Sequence, residues 1–117
     1  MARRINPSIH SALEVAAAPA IMVAPFLLGF GQAAAIVAVA LGAVLLGHAL
    51  QLESPRRSVP LSAHAGLDYA LATVALSAGL AVGSTTGEWL AGSFLVGVGV
   101  ALALLAAATR FTVRLGT

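Results

Sequence analysis

His10-Ser11-Ala12-Leu13-Glu14 opens the first apolar run of this chain, and His64-Ala65-Gly66-Leu67-Asp68 opens the third. Each phrase is a histidine, a leucine three positions on and an acid four positions on. At 3.6 residues per turn that spacing puts imidazole and carboxylate on one helix face. From position 10 to position 64 the shift is 54, and the same shift aligns Ser8 with Ser62, Ala18 with Ala72 and Gly29 with Gly83. Each phrase leads into a long uncharged stretch. A repeated polar phrase before an apolar run predicts a duplicated pair of membrane helices.

Composition points the same way. Of 117 residues 60% are apolar and only 9% charged, with a mean hydropathy of +1.00. A soluble domain covers its surface with about 25% charged residues; here that cover is missing, so lipid is the expected solvent. The absence of cysteine excludes disulfides, thiolate metal sites and thiol redox chemistry. All 6 basic residues are arginine, which with the Ala, Gly, Val and Leu excess indicates a GC-rich bacterial genome. A nucleic-acid binder needs a clustered basic face. These arginines fall in three separated pairs and the net charge is only +2, so no nucleic-acid partner is expected.

The chain divides accordingly into one integral membrane domain over 1–117. Repeat 1 covers 8–52, with helices at about 9–30 and 33–52. A linker follows over 53–61, and repeat 2 covers 62–109 with helices at about 63–83 and 88–109. Ser8 and Ser62 are the expected N-caps, and Pro19 and Pro25 predict a bend in helix 1. Gly29-Phe30-Gly31-Gln32 and Ser84-Thr85-Thr86-Gly87 read as tight turns. The predicted fold is an all-α membrane protein of four transmembrane helices. It is built as two tandem two-helix repeats, with a parallel pseudo-two-fold axis along the membrane normal.

Arg3 and Arg4 precede helix 1, Arg56 and Arg57 lie in the linker, Arg110 and Arg114 follow helix 4, and the two turns carry none. Arginines before an apolar run can mark a signal peptide; Glu14 and Pro19 interrupt the apolar core such a peptide needs, so helix 1 is read as retained. The positive-inside rule then puts leader, linker and tail in the cytoplasm of a bacterial inner membrane, with Trp89 at the outer interface. Because lipid is as apolar as leucine, helices associate through small residues. The expected packing positions are Ala38, Gly42, Ala43 and Gly47 on helix 2, Ala75, Gly79 and Gly83 on helix 3, and Ser93, Gly97 and Ala101 on helix 4. Besides the bilayer, the expected partners are a second copy or a larger membrane complex bound through such faces.

Ala24-Pro25-Phe26-Leu27-Leu28-Gly29-Phe30, the duplicated two-span unit and the His-x-x-Leu-acid start together resemble the SPW-repeat family of small prokaryotic integral membrane proteins. The name of that family refers to a Ser-Pro-Trp motif in the first span. Here the corresponding positions read Ala24-Pro25-Phe26 and, in the second repeat, Ala78-Gly79-Leu80. The resemblance implies the doubled two-span architecture and brings no defined activity with it.

Ionisable groups inside a membrane cost about 2.5–3.5 kcal/mol each at a helix centre and therefore mark functional positions by default. His10, Glu14, His64, Asp68 and His48 all fall at the inner ends of their helices and form the candidate proton or cation site. In the structural reading they line a polar layer, with Glu14 and Asp68 paired to Arg56 and Arg57 or to His10 and His64. In the functional reading the two His/acid pairs face the axis, and imidazole with carboxylate is a donor set suited to zinc-like ions. The structural reading is preferred, and neither metal nor other cofactor is assigned. A bis-histidine haem lacks any marked pocket, and no nucleophile stands beside a His and an acid in a hydrolase motif. The expectation is a non-enzymatic scaffold or accessory subunit, with a proton- or cation-coupled transporter using Glu14 and Asp68 as the alternative. Size, span number and an acid in helix 1 also resemble the small multidrug resistance transporters. Glu14 is too shallow for that pattern, and two prolines break the face of helix 1.

Overall fold

A computed structural model describes residues 5–53 and 61–109. They form four helices: α1 (Pro7–Leu27), α2 (Gln32–Glu53), α3 (Leu61–Thr86) and α4 (Trp89–Ala108). Each is long and apolar enough to cross a membrane. At 1.5 Å per residue, even the 20 residues of α4 reach about 30 Å, the thickness of a bilayer's hydrocarbon core. Among the described residues the only β-type contact is the bridge of Ile5 with Thr109, which brings the start of α1 to the end of α4.

The helix ends differ from expectation for identifiable reasons. Asn6, not Ser8, caps α1: its side-chain oxygen accepts from the Ile9 amide at 2.9 Å, and Pro7 fills the first helical position, where no amide is needed. α3 already begins at Leu61, so Ser62 is a first-turn residue and not its cap. α1 continues through Pro19 and Pro25 and stops at Leu27, three residues early. There the Phe30 amide donates to the Pro25 carbonyl at 2.9 Å across Gly29, whose φ of 71° is left-handed. This is a Schellman closure, in which glycine is favoured because it has no Cβ. Ser84, Thr85 and Thr86 are helical rather than turn residues. Their hydroxyls donate back to the carbonyls of Leu80, Ala81 and Val82 at 2.6, 2.7 and 2.6 Å, so they need no water. Only Gly87 and Glu88 then separate α3 from α4.

α1 packs along α2 and α3 along α4, and the two hairpins meet mainly through α2 and α3, more sparsely where α4 touches α1 and α2. α1 and α3 therefore stand on a diagonal. Each helix buries one residue per turn. On α1 the buried stripe is His10, Glu14, Ala18, Ile21 and Pro25; on α3 it includes His64, Asp68, Ala72, Ala75 and Val82. The interior is thus polar at one end and alanine-rich beyond it.

Small residues set how closely the helices of a hairpin approach. A Cβ on Gly42 would stand 2.9 Å from the Ala18 carbonyl oxygen; on Gly79, 2.6 Å from that of Gly92; on Gly99, 2.8 Å from that of Ala72. Gly83 lies against the Trp89 ring, and Ala75 is fully buried. Gly47 and Gly97, by contrast, have open space where a side chain would be, and Ser93 is exposed. The packing face of α4 is Gly92, Leu95, Gly99, Leu102 and Ala106, on the opposite side of the helix from the expected Ser93, Gly97 and Ala101. In an Ala/Gly-rich helix, two faces offer small residues at four-residue spacing, and only the partner helix selects between them.

Candidate functional site

The start of α1, the end of α2, the start of α3 and the end of α4 meet at one end of the bundle. There the diagonal helices α1 and α3 point their His/acid pairs at each other. His10 Nε2 lies 3.2 Å from Glu14 Oε1 on its own helix and 2.8 Å from Asp68 Oδ2 on α3. His64 Nε2 lies 3.4 Å from Asp68 Oδ2 on its own helix and 3.5 Å from Glu14 Oε1 on α1. Each carboxylate is therefore shared by two imidazoles, one from each hairpin. All four side chains are at most 1% exposed.

Two further groups hold this quartet. His48, from α2, places Nε2 2.9 Å from the other oxygen of Asp68, Oδ1, and stacks its ring on His64 at 3.7 Å and 12°. From the opposite side, Thr109 at the end of α4 contacts His10 Nδ1 through Oγ1 at 2.7 Å. The same hydroxyl donates to the Leu105 carbonyl at 2.6 Å. A hydroxyl has one proton: when it goes to the Leu105 carbonyl, Thr109 accepts from a His10 protonated on Nδ1. Nε2 is then left to face the carboxylates either as a second N–H, with His10 positively charged, or as a lone pair that a cation would have to bridge to them. Fixing the tautomer of one ring nitrogen through a partner on the other is how proteins aim an imidazole at an ion.

The carboxylates are not fully satisfied by these neighbours. Both oxygens of Glu14, and Oδ2 of Asp68, are buried without a hydrogen-bond partner of acceptable geometry among the described residues. The imidazole nitrogens are near them but do not point N–H bonds along them. Buried polar atoms of this kind are rare and call for an explanation, an ion included. The quartet also borders a lateral cleft of about 490 Å³ between α1 and α4, where Glu14 is the one ionisable residue of an otherwise apolar wall. On the other flank His48 borders a smaller cleft of about 180 Å³ between α2 and α3.

All five residues named from the sequence thus come together. Arg56 and Arg57, the alternative partners for the carboxylates, lie outside the described residues, as do the four other arginines used to orient the chain. Thr109 was not anticipated. It continues the buried stripe of α4 through Leu102 and Ala106, and a correct choice of that face would have pointed to it. Glu88 was also missed. It occupies the N-cap position of α4 without capping it, and instead accepts from the Gly31 amide at 2.7 Å, joining the two turns at the far end of the bundle.

Compared with known protein families, with curated proteins and with solved structures, the chain matches none.

Proposed function

We propose that this chain is a small proton- or cation-coupled membrane transporter whose ion-binding centre is formed by His10, Glu14, His48, His64 and Asp68. One observation carries the reading: two carboxylates from different hairpins are buried together among three imidazoles, inside a bundle whose four helices are each long and apolar enough to cross a membrane. An interfacial polar layer kept only for solvation would leave these groups near water, where they are inexpensive. Burial beside apolar clefts is the arrangement expected of an ion site. Because the centre joins α1 to α3, loading or emptying it would change how strongly the hairpins hold together.

A duplicated hairpin fits this centre. The buried positions of α1 and α3 coincide at the shift of 54 residues, as His10 with His64, Glu14 with Asp68, Ala18 with Ala72 and Ile21 with Ala75. The resemblance to the SPW-repeat family is consistent with that duplication. We place the protein in a bacterial inner membrane with both chain ends cytoplasmic, on the arginine distribution.

A second reading, a non-enzymatic scaffold, has its own support: this cluster ties α1 to α3, two helices whose backbones do not pack against each other, which would make it a clamp. Proteoliposomes loaded with a pH-sensitive dye separate the two. Under an imposed membrane potential the wild type should acidify the lumen faster than Glu14→Gln/Asp68→Asn at equal reconstituted abundance. Equal rates, with the double variant less stably assembled, would leave only the scaffold.

A further inference from the structure

We propose that the quartet binds one divalent transition-metal ion of the zinc class, ligated by His10 Nε2, His64 Nε2, Glu14 Oε1 and Asp68 Oδ2. The inference rests on the reading of the cluster as a cation site but does not require transport. Tetrahedral zinc has bonds of about 2.0–2.1 Å to nitrogen and oxygen, which sets ligand atoms about 3.3 Å apart. The four imidazole–carboxylate edges measure 2.8, 3.2, 3.4 and 3.5 Å, and each joins two of the same four atoms. One ligand atom from each residue lies within 4.8 Å of the other three. Two i, i+4 pairs on facing helices thus bring two nitrogens and two oxygens together, with their four N···O separations close to those of a tetrahedral site.

The carboxylates supply an independent sign. Glu14 is 1% exposed, and among the described residues neither of its oxygens finds a hydrogen bond of acceptable geometry, nor does Asp68 Oδ2. They lie at ligand spacing and are aimed into the space they share. With neutral imidazoles, a divalent ion cancels the two negative charges within the cluster. Two nitrogen and two oxygen donors without thiolate suit zinc and its first-row neighbours. Calcium takes six to eight oxygens and magnesium a largely hydrated octahedron, so neither fits. Outer contacts are in place as well: Thr109 holds the His10 tautomer, and His48 occupies the oxygen of Asp68 that faces away from the centre.

The full chain, purified in detergent and stripped with chelator, should take up one Zn2+ per molecule by calorimetry. Co2+ should bind with the intense visible absorption of a tetrahedral ion, and excess Mg2+ should not compete. Glu14→Gln and His64→Ala should each weaken Zn2+ binding by more than about a hundredfold, beyond the effect of an outer-shell change. Thr109→Val should cost about 10–100-fold and keep the cobalt spectrum. That milder variant preserves the test if a ligand variant fails to fold. A folded wild type without saturable uptake, or with uptake indifferent to Glu14→Gln and Thr109→Val, overturns the proposal. Dye acidification that depends on Glu14 and Asp68 without Zn2+ binding removes the metal and leaves the proton reading; failure of both removes both.

Discussion

At the scale of single residues, the chemistry of this protein depends on which atoms of the histidines face inward. His10 Nδ1 is held by a hydroxyl that also reaches the Leu105 carbonyl, so Thr109 acts on the His10 tautomer through the ring nitrogen that faces away from the carboxylates. Thr109→Ser keeps the oxygen and should restore whatever Thr109→Val loses in Zn2+ affinity, read by the same calorimetric titration; a serine variant as weak as valine would assign Thr109 to packing alone. The identity of the quartet was legible in the sequence because the His-x-x-Leu-acid phrase occurs twice and helical spacing aligns its polar ends. How the pairs engage was not legible. Spacing favours pairing within a helix, His10 with Glu14 and His64 with Asp68, whereas the shortest contact crosses from His10 to Asp68. That crossing depends on the diagonal placement of α1 and α3, which no local pattern encodes.

At the scale of elements, helices in lipid are selected by close backbone approach, and the glycines report it. Gly79→Ala would push a methyl group into the Gly92 carbonyl, and overpacking of this kind costs about 1–3 kcal/mol. Thermal unfolding in detergent should show a clear loss for Gly79→Ala. Gly97→Ala should be neutral or slightly stabilising, since its Cβ meets nothing within 4 Å and alanine is the better helix former. Equal losses at both positions would mean that the outer face of α4 is also packed. The four helices themselves were plain from hydropathy. Their ends were less so, because Ser84, Thr85 and Thr86 look like turn residues until the hydroxyl-to-carbonyl bonds of a helix in an apolar medium are considered. Glu88 belongs to this scale too. Its carboxylate accepts from Gly31 and ties the first turn to the second, so Glu88→Ala should lower stability by about 1 kcal/mol, with Glu88→Gln retaining most of it.

At the scale of the molecule, two hairpins with small-residue interiors are held together at one end by a His/carboxylate centre and at the other by Glu88. The proposed orientation, read from arginines flanking the described helices, can be tested because the chain has no native cysteine. Thr85→Cys should react with a membrane-impermeant maleimide in intact cells, and Ser58→Cys only after permeabilisation; the reverse pattern would invert the orientation. The account's central claim is that side chains of α1 and α3 surround a single ion within the bundle. X-ray absorption of the zinc-loaded protein in lipid nanodiscs addresses it most directly. The account predicts four nitrogen or oxygen neighbours at about 2.0–2.1 Å, with outer-shell scattering from two imidazoles that diminishes in His64→Ala. Six light neighbours without imidazole scattering, or a spectrum unchanged by that substitution, would contradict it.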